Sequence, residues 1–283
     1  MIMKVKKAVI SAAGYGTRML PITKSLPKEM LPVFDPISRK LKPAIHYVVE
    51  EAINSGIDEI LIITARGKRA IEDYFDSNPE LEHFLKERGK YSELNDIAET
   101  QYNASIYFIR QNKPLGLGHA VYLSKKFAND EPFAVMCGDD IFYSKVPVTK
   151  QLIEEFEHYK ASIISLEPVP KEKVVFYGVI EEQEIGENLF KVKKIVEKPS
   201  MEEAPSNLAL NGRFILFPEI FECIKETKPG KNNEIQLTDA LSLYIEKFGD
   251  VYGKIVEGKR IDVGNLEEWI KWNYHFYMKK EEL

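Results

Sequence analysis

Up to Pro168 the chain alternates short apolar runs with longer segments of helical spacing, and this rhythm leaves few folds open. Ala8-Val9-Ile10-Ser11-Ala12 reads as a buried strand entering a glycine-rich turn. From Pro43 to Ser55 the apolar residues Ala44, Ile45, Val48, Val49, Ala52 and Ile53 fall on one helical face, and Gly56 supplies the stop. Ile60–Ile63 is a second strand, followed by a helix through Lys68–Phe75. Ile106–Ile109 is a third, with a helix starting near Gly118. Phe133–Met136 is a fourth, with a helix from Thr149 to Tyr159, and Ile163–Leu166 is a fifth. Strands that are apolar throughout and separated by helices predict an α/β fold with a mainly parallel sheet covered on both faces. Beyond Pro168 the pattern turns strand-rich: Tyr177–Glu181, Leu189–Val196 and Asn207–Phe217. Helices return at Glu219–Glu226 and Leu237–Phe248. Val251–Val263 looks like a strand pair, and a last helix runs from Leu266 to Lys279.

The 283 residues carry 39 Lys and Arg against 44 Asp and Glu, a net charge of −5. Duplex nucleic acid is an improbable partner for so weakly acidic a chain, because binding it requires an excess of cations. A local basic site for a small anion stays open. Cys137 and Cys223 lie far apart and lack metal spacing, which reads as two small buried side chains in a reducing cytoplasm. The apolar start is cut short by Gly14, Gly16 and Arg18, so no secretory segment is expected. No stretch approaches the ~20 apolar residues of a membrane helix. A soluble, cytoplasmic protein without membrane contact is expected.

The first strand opens into Ala12-Ala13-Gly14-Tyr15-Gly16-Thr17-Arg18. Residues with little side chain let backbone N–H groups approach a nucleotide and face phosphate oxygens. Met19 stands where a dinucleotide fingerprint needs a third Gly, and no P-loop spacing occurs. A plain strand-to-loop turn is the competing reading. Next comes a proline-stiffened loop, Pro27-Lys28-Glu29-Met30-Leu31-Pro32, which with Arg18 and Lys24 can hold cations over a polyphosphate. Gly138-Asp139-Asp140 ends an apolar strand, where open α/β sheets place ligand contacts. A carboxylate there suits Mg2+, which takes one or two carboxylates with phosphate oxygens and water. A turn or capping role is the alternative.

Gly14-Tyr15-Gly16-Thr17-Arg18 followed by Pro27-Lys28-Glu29-Met30-Leu31-Pro32 resembles the signature of sugar-1-phosphate nucleotidylyltransferases, and more narrowly of the bacterial-type UTP–glucose-1-phosphate uridylyltransferases. Leu115-Gly116-Leu117-Gly118-His119-Ala120, Tyr177-Gly178-Val179-Ile180, Val196-Glu197-Lys198-Pro199 and Glu234-Ile235-Gln236-Leu237-Thr238-Asp239 follow in the family's order. Ser11-Ala12 and Cys137-Gly138-Asp139 depart from the usual wording, and residues 35–41 look like a small insertion.

The resemblance implies a Rossmann-like mixed sheet in one domain over residues 1–283. Residues 1–168 would bind mainly nucleotide, 169–264 mainly sugar phosphate, and 265–283 would form the C-terminal helix. It implies UTP and glucose 1-phosphate as substrates, Mg2+ as cofactor, and a homo-oligomer, dimer or tetramer. By the same resemblance Arg18, Lys28 and Lys198 are catalytic. Ala12, Ala13, Gly14, Gly16, Gln111 and Gly116 bind nucleotide, with Gln111 pairing to the uracil edge through two hydrogen bonds and Gly116 packing on base or ribose. Gly178, Glu197 and Asn211 take the sugar, and Asp139 and Asp262 the metal, with Asp140 only a neighbour. His119 reads as structural or supporting, since the five histidines show no zinc spacing. Alternatives are a thymidylyltransferase using dTTP, or a non-catalytic regulator on the same fold. Trp269, Trp272 and Phe276 form one face of the last helix, fit to pack on the chain itself or on a partner.

Overall fold

The computed structural model describes residues 4–98, 104–230 and 233–278. Its strands are β1 (Lys7–Ser11), β2 (Pro32–Phe34), β3 (Leu41–Pro43), β4 (Glu59–Thr64), β5 (Ser105–Arg110), β6 (Phe133–Cys137) and β7 (Asp140–Tyr143). Then follow β8 (Ser162–Pro168), β9 (Gly178–Gly186), β10 (Leu189–Glu197), β11 (Leu208–Leu216), β12 (Val251–Ile255) and β13 (Lys259–Asp262). The helices are α1 (Ala44–Asn54), α2 (Arg69–Phe75), α3 (Pro79–Glu87), α4 (Tyr91–Ala98) and α5 (Leu117–Leu123). After them come α6 (Lys125–Ala128), α7 (Val148–Tyr159), α8 (Ile220–Glu226), α9 (Leu237–Phe248) and α10 (Leu266–Met278).

Nine strands make one mixed sheet in the order β5-β4-β1-β6-β11-β8-β12-β10-β9. β5, β4, β1 and β6 run parallel, as do β8 and β12. β11 enters antiparallel between β6 and β8, and β10 is antiparallel to both β9 and β12. Period-two alternation sorts the side chains of the fully buried strands onto two faces. Ala8 and Ile10 join one apolar cluster with Val48, Val49, Leu152 and Phe156 of α1 and α7. Val9 joins the other with Val121, Ile220 and Leu241 of α5, α8 and α9. Helices therefore cover both faces, as the apolar strand runs predict.

Chain order departs to either side of β1, toward β4 on one side and β6 on the other. In an open α/β sheet such a switch point leaves a crevice beyond the strands' carboxyl ends. The loops after β1, β5 and β6 all emerge at that end, and they carry the glycine-rich turn, Gln111 and Asp139.

Two features differ from the sequence reading, and a third falls on one of the alternatives it left open. Residues 79–98, which show no strong apolar period, hold α3 and α4; Asn78 caps α3 through Oδ1 accepting from the Leu81 N–H at 3.1 Å, and Pro79 opens it. β12 and β13 do not pair with each other: β12 joins the large sheet, while β13 pairs antiparallel with β7. The aromatic stripe of α10 packs on the chain itself, against Val33 of β2, Ile141 of β7, Ile261 of β13 and the following Val263, with Trp269 Nε1–H donating to Pro32 O at 2.8 Å. Tyr274 and Tyr277 point outward. The expected helix end at Lys279 lies outside the described residues. No helix among the described residues is long and apolar enough to cross a membrane.

Candidate active site

A cleft of about 870 Å³ opens at the switch point and joins a smaller recess of about 240 Å³ through shared walls at Lys28, Cys137 and Asp139. Arg18, Lys28, Asp139, Gly178, Glu197, Lys198, Asn211 and Asp262 line the cleft. Ala13, Gly14, Gln111 and Gly116 line the recess. The fold thus gathers residues spread over most of the sequence.

At the floor, Lys28 Nζ pairs with Asp139 Oδ2, and Arg18 Nη1 donates to Asp262 Oδ2 at 3.1 Å. Burial works against the Lys28 ammonium, yet the Asp139 and Glu29 carboxylates outweigh it and raise its pKa. Burial likewise opposes the Asp139 carboxylate, while Lys28, Arg260 and Arg18 hold its pKa below the usual value. Both groups are therefore charged at neutral pH. The loop carrying Lys28 is anchored from below by Lys68, which donates to both oxygens of the fully buried Glu29 at 2.7 and 2.8 Å.

The two predicted metal carboxylates converge. A Cβ placed on Gly264 would sit 3.0 Å from Asp262 Oδ1 and 3.1 Å from Asp139 Oδ2, so one point is close to both. No group of three or more His, Cys, Asp or Glu side chains suited to a metal occurs among the described residues. Two hard oxygen donors fit a cation that fills its shell with phosphate and water, as Mg2+ does.

On the far wall, Glu197 ends β10. Its Oε2 accepts from Thr238 Oγ1 at 2.8 Å, and Oε1 lies 3.1 Å from Lys198 Nζ. Lys198 takes a left-handed φ of 47°, a conformation that a non-glycine residue keeps only when its surroundings require it. Asn211 is buried, lines the cleft, and has an Oδ1 without a hydrogen-bond partner. Such an acceptor is costly unless a ligand hydroxyl or amide meets it. Gly178 lets Thr238 approach, since a Cβ there would come within 2.6 Å of Thr238 Cγ2.

Four expectations need correction, those for Ala12, Gly16, Asp140 and Lys24. Ala12 lines neither cavity, because it is buried and its N–H donates to Ile63 O at 2.9 Å. Gly16 also lies off the walls; its left-handed φ of 67° starts a short 3-10 turn, and its carbonyl accepts from Thr23 Oγ1 at 2.8 Å. Gly116 stays on the recess wall, and its φ of 96° also brings its backbone against residues 234 and 235, where a Cβ would meet Ile235 O at 2.7 Å. Asp140 is more than a neighbour. It is buried, its Oδ1 binds Arg260 at 2.7 and 2.9 Å, and burial with Asp139 and Asp262 nearby pushes its pKa up to about 7, against the pull of Arg260. Lys24 is exposed and lies off both cavities.

Sequence reasoning missed Arg260, whose guanidinium lies 5.4 Å from the Tyr177 ring centroid. Its signal was present: two residues before Asp262 on a strand, it must share that residue's face. It missed Arg213 as well, a fully buried arginine in a strand that is apolar apart from it and Asn211. Arg213 donates to both Glu51 oxygens at 2.8–3.2 Å and to the carbonyls of Cys137 and Asp140 at 3.2 and 2.7 Å, gripping the chain on both sides of Asp139.

Comparison with known proteins decides the family. The nucleotidyl transferase family model matches residues 7–278. The chain belongs to this family. Among curated relatives of this transferase, the UTP–glucose-1-phosphate uridylyltransferase of Bacillus subtilis (strain 168) is 46% identical over 280 residues, covering 99% of this chain and 94% of the relative. A solved UDP-glucose pyrophosphorylase complexed with UDP-glucose superposes with a TM-score of 0.85 at 43% identity, covering 98% of this chain and all of that one. The UTP-bound UGPase from Acinetobacter baumannii gives a TM-score of 0.86 at 35% identity, over 96% of this chain and 93% of that one.

Proposed function

We propose that this transferase joins UTP and glucose 1-phosphate into UDP-glucose and pyrophosphate. The observation that carries this reading is the convergence, in one cleft, of two polyphosphate-facing cations, two carboxylates and a separate Glu-Lys pair on the opposite wall. The full-length likeness to uridylyltransferases and to a UDP-glucose complex supports the choice of substrates.

The reaction needs an oxygen of the sugar phosphate to attack the α-phosphorus of UTP in line with departing pyrophosphate. Little covalent work falls to the protein, so positioning and charge stabilisation dominate. Arg18 and Lys28 exchange their carboxylate partners for triphosphate oxygens and neutralise the leaving group. Lys198 holds the attacking phosphate, while Glu197 and Asn211 accept from hexose hydroxyls and Gly178 lets the sugar lie close to the backbone. Ala13, Gly14, Gln111 and Gly116 receive the nucleotide. Asp139 and Asp262 are the residues to hold Mg2+, which when bound would draw off negative charge from the phosphates. Residues 1–168 thus serve mainly the nucleotide and 169–264 mainly the sugar phosphate, within one domain.

A homo-oligomer, dimer or tetramer, belongs to the same reading. The outward Leu266, Ile270, Tyr274 and Tyr277 of α10 support it, and solution mass tests it. The two free cysteines support a cytoplasmic setting. Pyrophosphate release over a matrix of nucleoside triphosphates and sugar 1-phosphates tests the function. UTP with glucose 1-phosphate should give the highest kcat/KM; a preference for dTTP would make the chain a thymidylyltransferase, and no release with any pair would favour the regulator.

A further inference from the structure

Gln111 follows β5 at the mouth of the smaller recess, tied down by its own backbone N–H donating to Thr64 O at 2.8 Å. Its side-chain amide has two partners: Nε2 lies 3.1 Å from Gly116 O and 2.9 Å from His119 Nδ1. These partners fix which way the amide faces. A backbone carbonyl can only accept, so the group meeting Gly116 O must be the NH2. The second amide hydrogen then points at His119, whose Nδ1 must present a lone pair and whose proton sits on Nε2. Burial lowers the His119 pKa, which keeps the ring in that neutral form.

Both amide hydrogens are thereby used within the protein. Among the described residues no group donates to Gln111 Oε1, and the recess it lines has small or apolar residues such as Ala13, Gly14, Pro114 and Leu117 on its wall, with the charged Lys28, Glu29, Asp139 and Glu234 also lining it. Gln111 therefore offers a base one acceptor and no donor. This replaces the expectation of paired hydrogen bonds to the uracil edge.

Resting on the uridylyltransferase reading, we infer that His119 is the positioning residue for base selection: it locks the Gln111 amide so that only a base with a ring N–H opposite Oε1 is accepted. Uracil presents N3–H there. Cytosine presents an unprotonated N3, so two lone pairs would face each other and the buried acceptor would lose its partner. A side chain free to rotate by half a turn would instead present its NH2 to cytosine and erase the distinction. His119 touches no substrate atom in this scheme.

The test compares kcat/KM for UTP and CTP in the parent, in His119→Phe and in His119→Asn. The Phe ring removes the acceptor at similar size, whereas the Asn carbonyl restores one near the place of Nδ1. The expected result is a fall of about tenfold or more in the UTP-to-CTP ratio for His119→Phe, with KM for UTP raised and KM for glucose 1-phosphate unchanged. His119→Asn should recover most of the ratio. Thermal unfolding of both variants checks that they are folded. An unchanged ratio in folded His119→Phe overturns the inference, as does equal loss in both variants or a parallel rise in both KM values. A parent enzyme that does not prefer UTP to CTP would overturn the uridylyltransferase reading instead.

Discussion

Two layers of ion pairs, one nearer the cleft and one more deeply buried, are built from the same residue types and put to different use. The upper layer, Arg18–Asp262 and Lys28–Asp139, lines the cleft, and the Arg18 side chain is 60% exposed. The lower layer consists of Arg213–Glu51 and Lys68–Glu29, whose side chains are nearly sealed from water; Arg260–Asp140 is about as well buried but lines the cleft with the upper pairs. In the lower layer the partners are fixed: Lys68 donates to both Glu29 oxygens, and Arg213 to Glu51 and to two backbone carbonyls. Thr149 adds its N–H and hydroxyl to Glu51 Oε1 at 2.9 and 2.7 Å, completing the clamp beneath Asp139. Exposed pairs contribute little and exchange readily, whereas breaking a buried pair strands a charge. Arg18, the exposed member, is free to trade partners with phosphates, whereas Lys28 and Asp139, only 16% and 14% exposed, can do so when a phosphate or a cation takes the partner's place.

Several substitutions can break or sharpen that contrast. The largest effect is expected from Asp139→Ala. Turnover should fall more than about 10³-fold through loss of charge stabilisation at the reacting phosphates. Its thermal midpoint should stay within a few degrees of the parent's, and a collapse of the fold would move Asp139 into the lower layer. Glu51→Ala should do the opposite. It leaves Arg213 buried and unpaired, at about 3–5 kcal/mol of unfolding free energy. Urea denaturation measures this, and a loss below about 1 kcal/mol would remove the distinction between the layers.

Lys28→Ala should lower kcat by ~10²–10³ with little change in KM for glucose 1-phosphate, since its charge faces the departing phosphates. Lys198→Ala should slow the reaction less and raise that KM. If the two KM responses were exchanged, the assignment of the two walls to leaving group and attacking group would have to be reversed.

How much of this was legible in the sequence follows from the physics of each element. Strand runs such as Val9-Ile10 and Ile60–Ile63 declare themselves because burial on both faces leaves no polar position. The loop residues Lys28, Asp139 and Lys198 were found through their motif order, since a short stiff loop beside a strand end has few other uses. Partner choice was not legible. Nothing in the spacing joins Arg213 to Glu51, which are 162 positions apart, or Lys68 to Glu29. Nor does sequence reveal that Ala12 and Gly116 use their backbones on protein, because that depends on which segment folds against them. The antiparallel entry of β11 was equally hidden, since an all-buried strand reads the same in either direction.

The smallest expected effect concerns His46, a buried titratable group outside both layers. Its side chain is 2% exposed, and its Nδ1 lies 3.0 Å from Tyr74 Oη. Burial, helped by the Lys42 charge and opposed by Asp35, lowers its pKa to about 4. An unfolded histidine titrates near 6.5, so between about pH 6.5 and 4 the unfolded chain binds the extra proton. Stability contributed by the neutral ring is therefore present above about pH 6.5 and is lost as the pH falls toward 4. Between about pH 7 and 5.5 the loss should be about 1 kcal/mol, from the free energy of protonating the unfolded histidine over that interval. His46→Gln, which keeps a polar partner for Tyr74, should flatten that slope in denaturation series at the two pH values. Equal slopes in parent and variant would show that the acid sensitivity belongs to the paired carboxylates of the two layers and not to this ring.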